Sequence, residues 1–366
     1  MFDSIHNAGD FLSPHWLAEV FPGRLKDLHA DWADRHDHGK GDPWHGLMSA
    51  AEPFGRAKAG LTEAANGRAA ESVRALHDVL LSAVGYRPGR EELRTLRDGL
   101  EVTVPLLARY QTATGEALHI LEAHAASCAE DLLDGDSGGA GRLLDGAHIQ
   151  QTAGHATQVH AITEALSLLF LTDAAPRYVL VVAGGWLLLT DTDRWSEGRY
   201  LAVDAETALA RHDAETALAR HDEKRTGELA WHAGLWSADV LLPRDDAPPA
   251  LDQYIQDSVK HAVGVSKDLR EGIRQSVELL AGEVLRVRRE RGEQVEGIPE
   301  LPKDIVQQSL RFLYRILFLL YRMSPGLRRC AWDTAKEVTA AAVKPARSAS
   351  PLMPSSVRNS QANRRW

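Results

Sequence analysis

Residues 178–190 read Tyr-Val-Leu-Val-Val-Ala-Gly-Gly-Trp-Leu-Leu-Leu-Thr. Tyr178 to Val182 and Trp186 to Thr190 are runs of apolar and branched residues, and Ala183-Gly184-Gly185 lies between them. Such runs on either side of a tight glycine turn predict a β-hairpin. Arg199 to Val203 extends the pattern as a third strand. Upstream, Glu101 to Tyr110 carries Val102, Thr103 and Val104, and Ala117 to Ala123 is a second apolar run. Thr112 to Glu116, with Gly115 inside, supplies the turn between them. Pro105 assigns the first of these strands to an edge or a bulge, because proline has no N–H for the ladder. These segments predict a small mixed or antiparallel sheet domain over residues 61–204, packed with helices.

Working outward, the first 60 residues read as a helical segment. Ser13-Pro14 is an N-cap and first-turn pair, and Arg24 to Arg35 forms the next helix. The stretch RHDHGKGDPWH (35–45) reads as a loop. Val73, Leu76, Val79 and Leu80 place a helix over Ala64 to Val84. Further helices are expected at Ala125 to Leu133 and Gln150 to Leu169, with the flexible linker GDSGGAG (135–141) between them.

Residues 226–330 read as a helical arm. Ser266 is the expected N-cap of a helix with the stripe Leu269, Ile273, Val277, Leu280, Val284 and Val287. A second helix, Lys303 to Met323, is apolar nearly all round and is expected to be buried; Ser324-Pro325-Gly326 ends it. Residues 331–366 turn to Ala, Lys, Arg, Ser and Pro and read as a disordered tail. The fold class is therefore α+β, helix-dominated.

Between sheet and arm, AETALARHD at 205–213 recurs unchanged at 214–222. Nine residues turn a helix by about 180°, so one continuous helix would point its apolar face in opposite directions along the two copies. The second copy is read as a duplication that bulges out or lengthens a linker over 205–225.

Composition narrows the function. A formal charge of -9 argues against a chain that coats nucleic acid indiscriminately, while leaving room for a local basic face. Two cysteines, Cys128 and Cys330, permit no disulfide framework and favour a reducing compartment. The N-terminus has no signal-peptide pattern, and the run Phe312 to Tyr321, broken by Arg315, is too short to span a bilayer. The expectation is a soluble, cytoplasmic protein with no membrane contact.

Four groups of residues invite a chemical reading. Gly135-Asp136-Ser137-Gly138-Gly139 matches the nucleophile segment of trypsin-like proteases, but strands and disulfides to hold it are missing, so it reads as a linker. His36, His38 and His45 stand beside Asp34, Asp37 and Asp42 without the spacing of a tight metal site, and His148, His155 and His160 are seven and five apart. Both groups read as solvated histidines, with no metal. Glu122-Ala123-His124 follows the register in which restriction-type nucleases place an acid, a spacer and a lysine on the second strand of a hairpin. The lysine is absent here, and Asp98 or Glu101 is the only upstream acid on offer. Glu122 is thus a structural carboxylate or the mark of a degenerate metal-dependent nuclease. Finally, Arg270, Arg274, Arg286, Arg288, Arg289 and Arg291 on the first arm helix, with Arg311, Arg315 and Arg322 on the second, could neutralise DNA phosphates. The alternative is a solvated face paired with Glu271, Glu278, Glu283 and Glu290.

In order along the chain, LHILEA (118–123), RYVLVVAGGWLLLTDTDRWSEGRYLAVD (177–204), SVKHAVGVSKDLREGIRQSVELL (258–280) and LRFLYRILFLLYRMSPGL (310–327) resemble the N-terminal half of large bacterial adenine-specific DNA methyltransferases. These are the type IIG restriction–modification enzymes and their phage-defence relatives, and the resemblance covers residues 1–330. It implies a helical region leading into a core where a Phe-x-Gly-x-Gly loop binds S-adenosylmethionine and Asn-Pro-Pro-Tyr holds a flipped adenine. Neither motif is in these 366 residues; Asp246-Ala247-Pro248-Pro249-Ala250 is a poor echo of the second. The resemblance therefore implies a truncated or separately encoded part. It would have no cofactor or catalytic residue of its own, and would contact DNA, a separately encoded methyltransferase core, or both. A protein-interaction helper without DNA contact is the third reading.

Overall fold

Tyr178–Ala183 and Trp186–Asp191 pair antiparallel, with Ala183 opposite Trp186 across Gly184-Gly185. Gly184 has a φ of +69° and a Cβ on it would lie 2.8 Å from the Ala125 Cβ, so the turn needs glycine twice over. This computed structural model describes residues 2–63, 69–113, 115–135, 138–150, 156–217, 227–244, 247–293 and 301–323, and their fold is α+β.

In chain order, β1 (Ile5–Ala8) precedes α1 (Pro14–Glu19), α2 (Phe21–Asp37), α3 (Pro43–Glu63) and α4 (Ala69–Ala83). Then come β2 (Glu91–Arg97), β3 (Leu100–Leu106), β4 (Ala108–Thr112), β5 (Gly115–Glu122), β6 (Gly138–Gln150) and β7 (Ala156–Ala161). α5 (Ile162–Leu169) leads to the hairpin β8 (Tyr178–Ala183) and β9 (Trp186–Asp191), followed by α6 (Thr192–Ser196) and β10 (Tyr200–Asp204). α7 (Ala205–Ala217), α8 (Glu228–Trp236), α9 (Ala238–Leu241), α10 (Ala250–Glu290) and α11 (Leu301–Met323) complete the order.

The strands form two sheets. The larger runs β1-β10-β9-β8-β5-β4; only β5 and β8 are parallel, and the segment between them crosses over through β6, β7 and α5. The smaller runs β2-β3-β6-β7, all antiparallel. Alternate side chains of the large sheet feed two cores. Leu118, Ile120, Leu180, Val182, Leu187 and Leu189 face one layer with Trp16, Phe21, Leu80 and Trp236. Leu121, Val179, Val181 and Leu188 face another with α5 and the small sheet, through Leu166, Leu169, Val102 and Val104. Burial on both faces is why β8 and β9 carry apolar runs without polar alternation. Where α3 crosses α4, a Cβ on Gly46 would come 1.9 Å from the Ala83 carbonyl oxygen, which leaves room for glycine alone.

Several expectations are corrected. The single strand Glu101 to Tyr110 is two, β3 and β4, in different sheets, and the chain turns between them at Leu107. Pro105 faces β2 opposite Glu92, beyond the stretch where β6 pairs with β3, so its missing N–H costs no ladder bond there. The helix at Ala125 to Leu133 shrinks to a 3-10 turn, Glu130–Leu132. Gln150 to Leu169 holds the end of β6, β7 and only then α5, and part of GDSGGAG opens β6. The N-terminal segment is not wholly helical, since β1 edges the large sheet against β10. Ser266 caps nothing: α10 runs through it from Ala250.

The compact division falls at Ser266: residues 1–266 form one unit and 267–366 another. The segment expected as 1–60 and the first part of the arm expected over 226–330, up to residue 266, thus share one core with the sheet, through Trp16, Phe21, Trp236 and Tyr254. In α7, the first repeat copy buries Ala205, Ala208 and Leu209, and the helix continues four residues into the second copy. The remainder of that copy, Ser324-Pro325-Gly326 and the tail at 331–366 lie outside the described residues.

In the second unit, α11 buries Leu301, Ile305 and Ser309 but is not buried all round. Phe312, Tyr314, Ile316, Phe318 and Leu319 are exposed. The distal part of α10 buries no described side chain between Val259 and Glu293. Among the described residues no helix is long and apolar enough to cross a membrane.

Candidate functional site

Glu122 ends β5 on the hairpin that the sequence predicts, and its carboxylate is buried in a network of cations. His77 Nδ1 lies 3.0 Å from Oε1, Arg90 Nη2 donates to Oε1 at 3.0 Å and its Nε to Oε2 at 3.1 Å. Arg74 Nε approaches Oε2 at 3.6 Å while its Nη2 reaches Asp145 at 2.7 Å. Arg90 also bridges to Asp78 at 2.9 Å. The Gly184 N–H donates to His77 Nε2 at 2.9 Å, so the ring proton sits on Nδ1 and is donated to Glu122. One imidazole thereby ties α4 to β5 and to the β8–β9 turn.

Burial pushes the His77 pKa below its ordinary value and outweighs the carboxylate beside it. For Glu122 burial pushes upward, but the bonds from His77 and Arg90 win and its pKa falls. Three of the carboxylate's acceptor sites are taken by His77 and Arg90, and the positive charge of Arg90 and of Arg74 nearby disfavours a divalent ion. The adjacent cavity of about 350 Å³ is lined by Arg90, Glu92, Thr103, Glu122, Asp145 and His148 among others. Neither Asp98 nor Glu101 lines it. Asp98 sits in the Asp98-Gly99 turn with a φ of +50°, and Glu101 pairs with Leu96 on β2. Glu122 thus joins β5 to His77 of α4 and to Arg90.

A serine, a histidine and a glutamate also meet where sequence reasoning saw nothing. Ser4 Oγ lies 3.0 Å from His232 Nε2 and donates to Glu228. Trp236 Nε1 donates to His232 Nδ1 at 3.3 Å, so His232 carries its proton on Nε2 and gives it to Ser4. A nucleophile needs the reverse, with an unprotonated Nε2 accepting from the hydroxyl. The ring is fully buried, and burial alone holds its pKa down to about 3. This constellation fastens the N-terminal residues to α8.

The histidine-rich stretch behaves differently from its reading as a solvated loop. His36, Asp42 and His45 converge, with one ligand atom from each lying within 4.8 Å of the others. His38 stays apart, its Nδ1 2.7 Å from the Asp34 carbonyl oxygen. His148 and His160 lie on β6 and β7 and not on one helix, and His155 is outside the described residues.

On α10 the arginines are largely spoken for. Arg274 pairs with Glu271 at 2.6 Å and with Glu278, and Arg286 pairs with Glu283 at 2.6 Å and Glu290 at 2.5 Å. Arg288 lies 3.6 Å from Glu293. Arg270, Arg289 and Arg291 form no ion pair among the described residues. These i, i+3 and i, i+4 ladders are the solvated face that the glutamate spacing implies. Between α10 and α11 lies a groove of about 670 Å³, floored by Leu280, Val284, Ile305 and Phe312 and rimmed by Arg288, Arg311 and Arg315. The signal for it was the apolar stripe itself, read earlier as a buried helix.

No family model matches the chain, and no curated protein or solved structure aligns with it significantly.

Proposed function

We propose that the chain is a non-catalytic docking subunit whose C-terminal helix pair seats on a protein partner. The partner is an adenine-methyltransferase core encoded outside these 366 residues. One observation supports this above the others: α11 exposes Phe312, Ile316 and Leu319 at i, i+4 and i+7 spacing, with Phe318 64% exposed beside them. A contiguous apolar stripe of this kind costs solubility and finds its use in binding. Arg311 and Arg315 on the groove rim form no ion pair among the described residues, so the fitting surface is apolar with acidic flanks. The identity of the partner rests on the order of the four segments that resemble the methyltransferase N-terminal half.

DNA contact has less support. Arg274 and Arg286, which phosphates would need, already hold two carboxylates each. The test is to find Asn-Pro-Pro-Tyr in the neighbouring coding sequence, purify that core, and mix it with this chain in analytical ultracentrifugation. A stoichiometric complex that Phe312→Asp and Phe318→Asp abolish is the expected result. A complex indifferent to those changes sinks the proposal. So does a gel shift at low salt that Arg288→Ala and Arg289→Ala eliminate while the core fails to bind.

A further inference from the structure

Three side chains at the α2–α3 junction carry an inference independent of docking. α2 ends at Asp37, and a short connection with Gly39 at a φ of +68° returns the chain to α3. Asp42 stands at the N-cap position of α3, ahead of Pro43, and its Oδ1 accepts from the His45 N–H at 2.9 Å. That bond fixes the carboxylate and points its other oxygen, Oδ2, between two imidazoles. His45 Nδ1 lies 2.9 Å from Oδ2 and His36 Nδ1 lies 3.6 Å from it. The two rings stack with centroids 3.8 Å apart and planes 14° apart.

We propose that His36, Asp42 and His45 form a binding site for a borderline divalent cation of the zinc type. Zinc takes nitrogen at about 2.0–2.1 Å and carboxylate oxygen at about 2.0–2.2 Å, which sets neighbouring ligand atoms of a tetrahedron about 3.4 Å apart. The two separations from Asp42 Oδ2, 2.9 and 3.6 Å, bracket that edge. The donor set of two imidazole nitrogens and one carboxylate oxygen suits zinc, cobalt or nickel and not magnesium or calcium, which want oxygen alone.

Burial is graded in the way a three-ligand site requires. The Asp42 side chain is 1% exposed and His45 27%, while His36 is 56% exposed. The carboxylate is the fixed wall, and the outer imidazole has room to rotate so that both ring lone pairs meet one ion. The fourth position faces solvent. Closure would clip the last turn of α2 to the first turn of α3. The sequence hid this set because His36 and His45 are nine residues apart on two helices, and only the return of the chain brings them together.

The experiment is a titration of the full chain with Zn²⁺ in a non-coordinating buffer, followed calorimetrically and by thermal melting, with Co²⁺ absorption as a second readout. One ion per chain, a raised Tm and a visible Co²⁺ band are expected, with Mg²⁺ and Ca²⁺ silent. His36→Ala and His45→Ala should each weaken binding by about tenfold or more, since each removes one of three protein ligands. Asp42→Asn keeps a capping side chain, so its metal-free Tm should match the parent while its affinity falls. His38→Ala should change nothing. No heat and no Co²⁺ band at millimolar metal overturns the proposal, as does binding that persists undiminished in the His36→Ala, His45→Ala double variant.

Discussion

Leu180 in β8 and Leu279 in α10 are the same side chain in regular structure, yet the first is fully buried and the second is 76% exposed. The contrast holds for the two units they belong to. In residues 1–266 the inner strands β5, β8, β9 and β10 of the large sheet divide their side chains between two cores. In the described part of residues 267–366 only Leu301, Ile305 and Ser309 are buried. Periodicity decides which face of an element is apolar. Whether that face is covered depends on what packs against it, which no local pattern encodes.

The largest expected effect tests that contrast directly. Leu180→Ala should cost about 2–5 kcal/mol by leaving a cavity, whereas Leu279→Ala should stay within about 0.5 kcal/mol. Urea midpoints of the two variants decide it. Equal losses would mean that Leu279 is covered in solution, for instance by a second copy of the chain, and the contrast would collapse.

Acid should separate the units next. Burial lowers the pKa of His77, His119 and His232, so each takes up its proton more readily in the unfolded chain. Stability from a lowered folded pKa is fully present above the unfolded value, 6.5 for these histidines, and is lost as pH falls below it. Each can contribute up to about 1.4 kcal/mol per pH unit in that window. Glu122 adds to the loss with the same sign, but only as pH approaches its ordinary value of 4.5. No histidine lies in residues 267–323, so helicity there should hold while near-ultraviolet signals from the buried tryptophans fade. Equal acid loss in both would show that they do not unfold separately.

A smaller effect is expected at Glu122. Glu122→Gln leaves the His77 proton a partner but deprives Arg90 and Arg74 of a charge. With those guanidinium groups about a third exposed, screening should hold the loss to about 1–2 kcal/mol. A gain of stability on this change would mean that desolvation of the carboxylate outweighs its ion pairs, and would favour the nuclease reading over the structural one.

What the sequence made legible follows the same division. The β8–β9 and β4–β5 hairpins, the Ser13 cap and Glu122 on its strand were all readable, because glycine turns and branched runs act locally. The β2–β3 hairpin carried a local signal as well, Asp98-Gly99, with positive φ at both residues. β6 was not legible: its register shifts between Arg142 and Ala147, which breaks the period of two on which strand reading depends. Of the candidate sites, the pairing of the α10 arginines could be counted from i+3 and i+4 glutamates. The partners of Glu122 and the meeting of His36 with His45 required the tertiary path.

The smallest effect is expected on the exposed surface of α10, and it sharpens the contrast from the other side. Arg274 and Arg286 are more than half exposed in their ion pairs, where water and salt screen the attraction and ordering two long side chains costs entropy. Arg274→Ala and Arg286→Ala should leave the urea midpoint unchanged within error, as should raising the salt concentration on the parent. The apolar stripe of α11 depends on neither charge, so partner binding should also survive both substitutions. If instead either change unwinds the helix pair by circular dichroism, the second unit is held by its charge ladder and not by the burial of Ile305 and Leu301. In that case the exposed apolar face would belong to a helix too weakly fixed to present it.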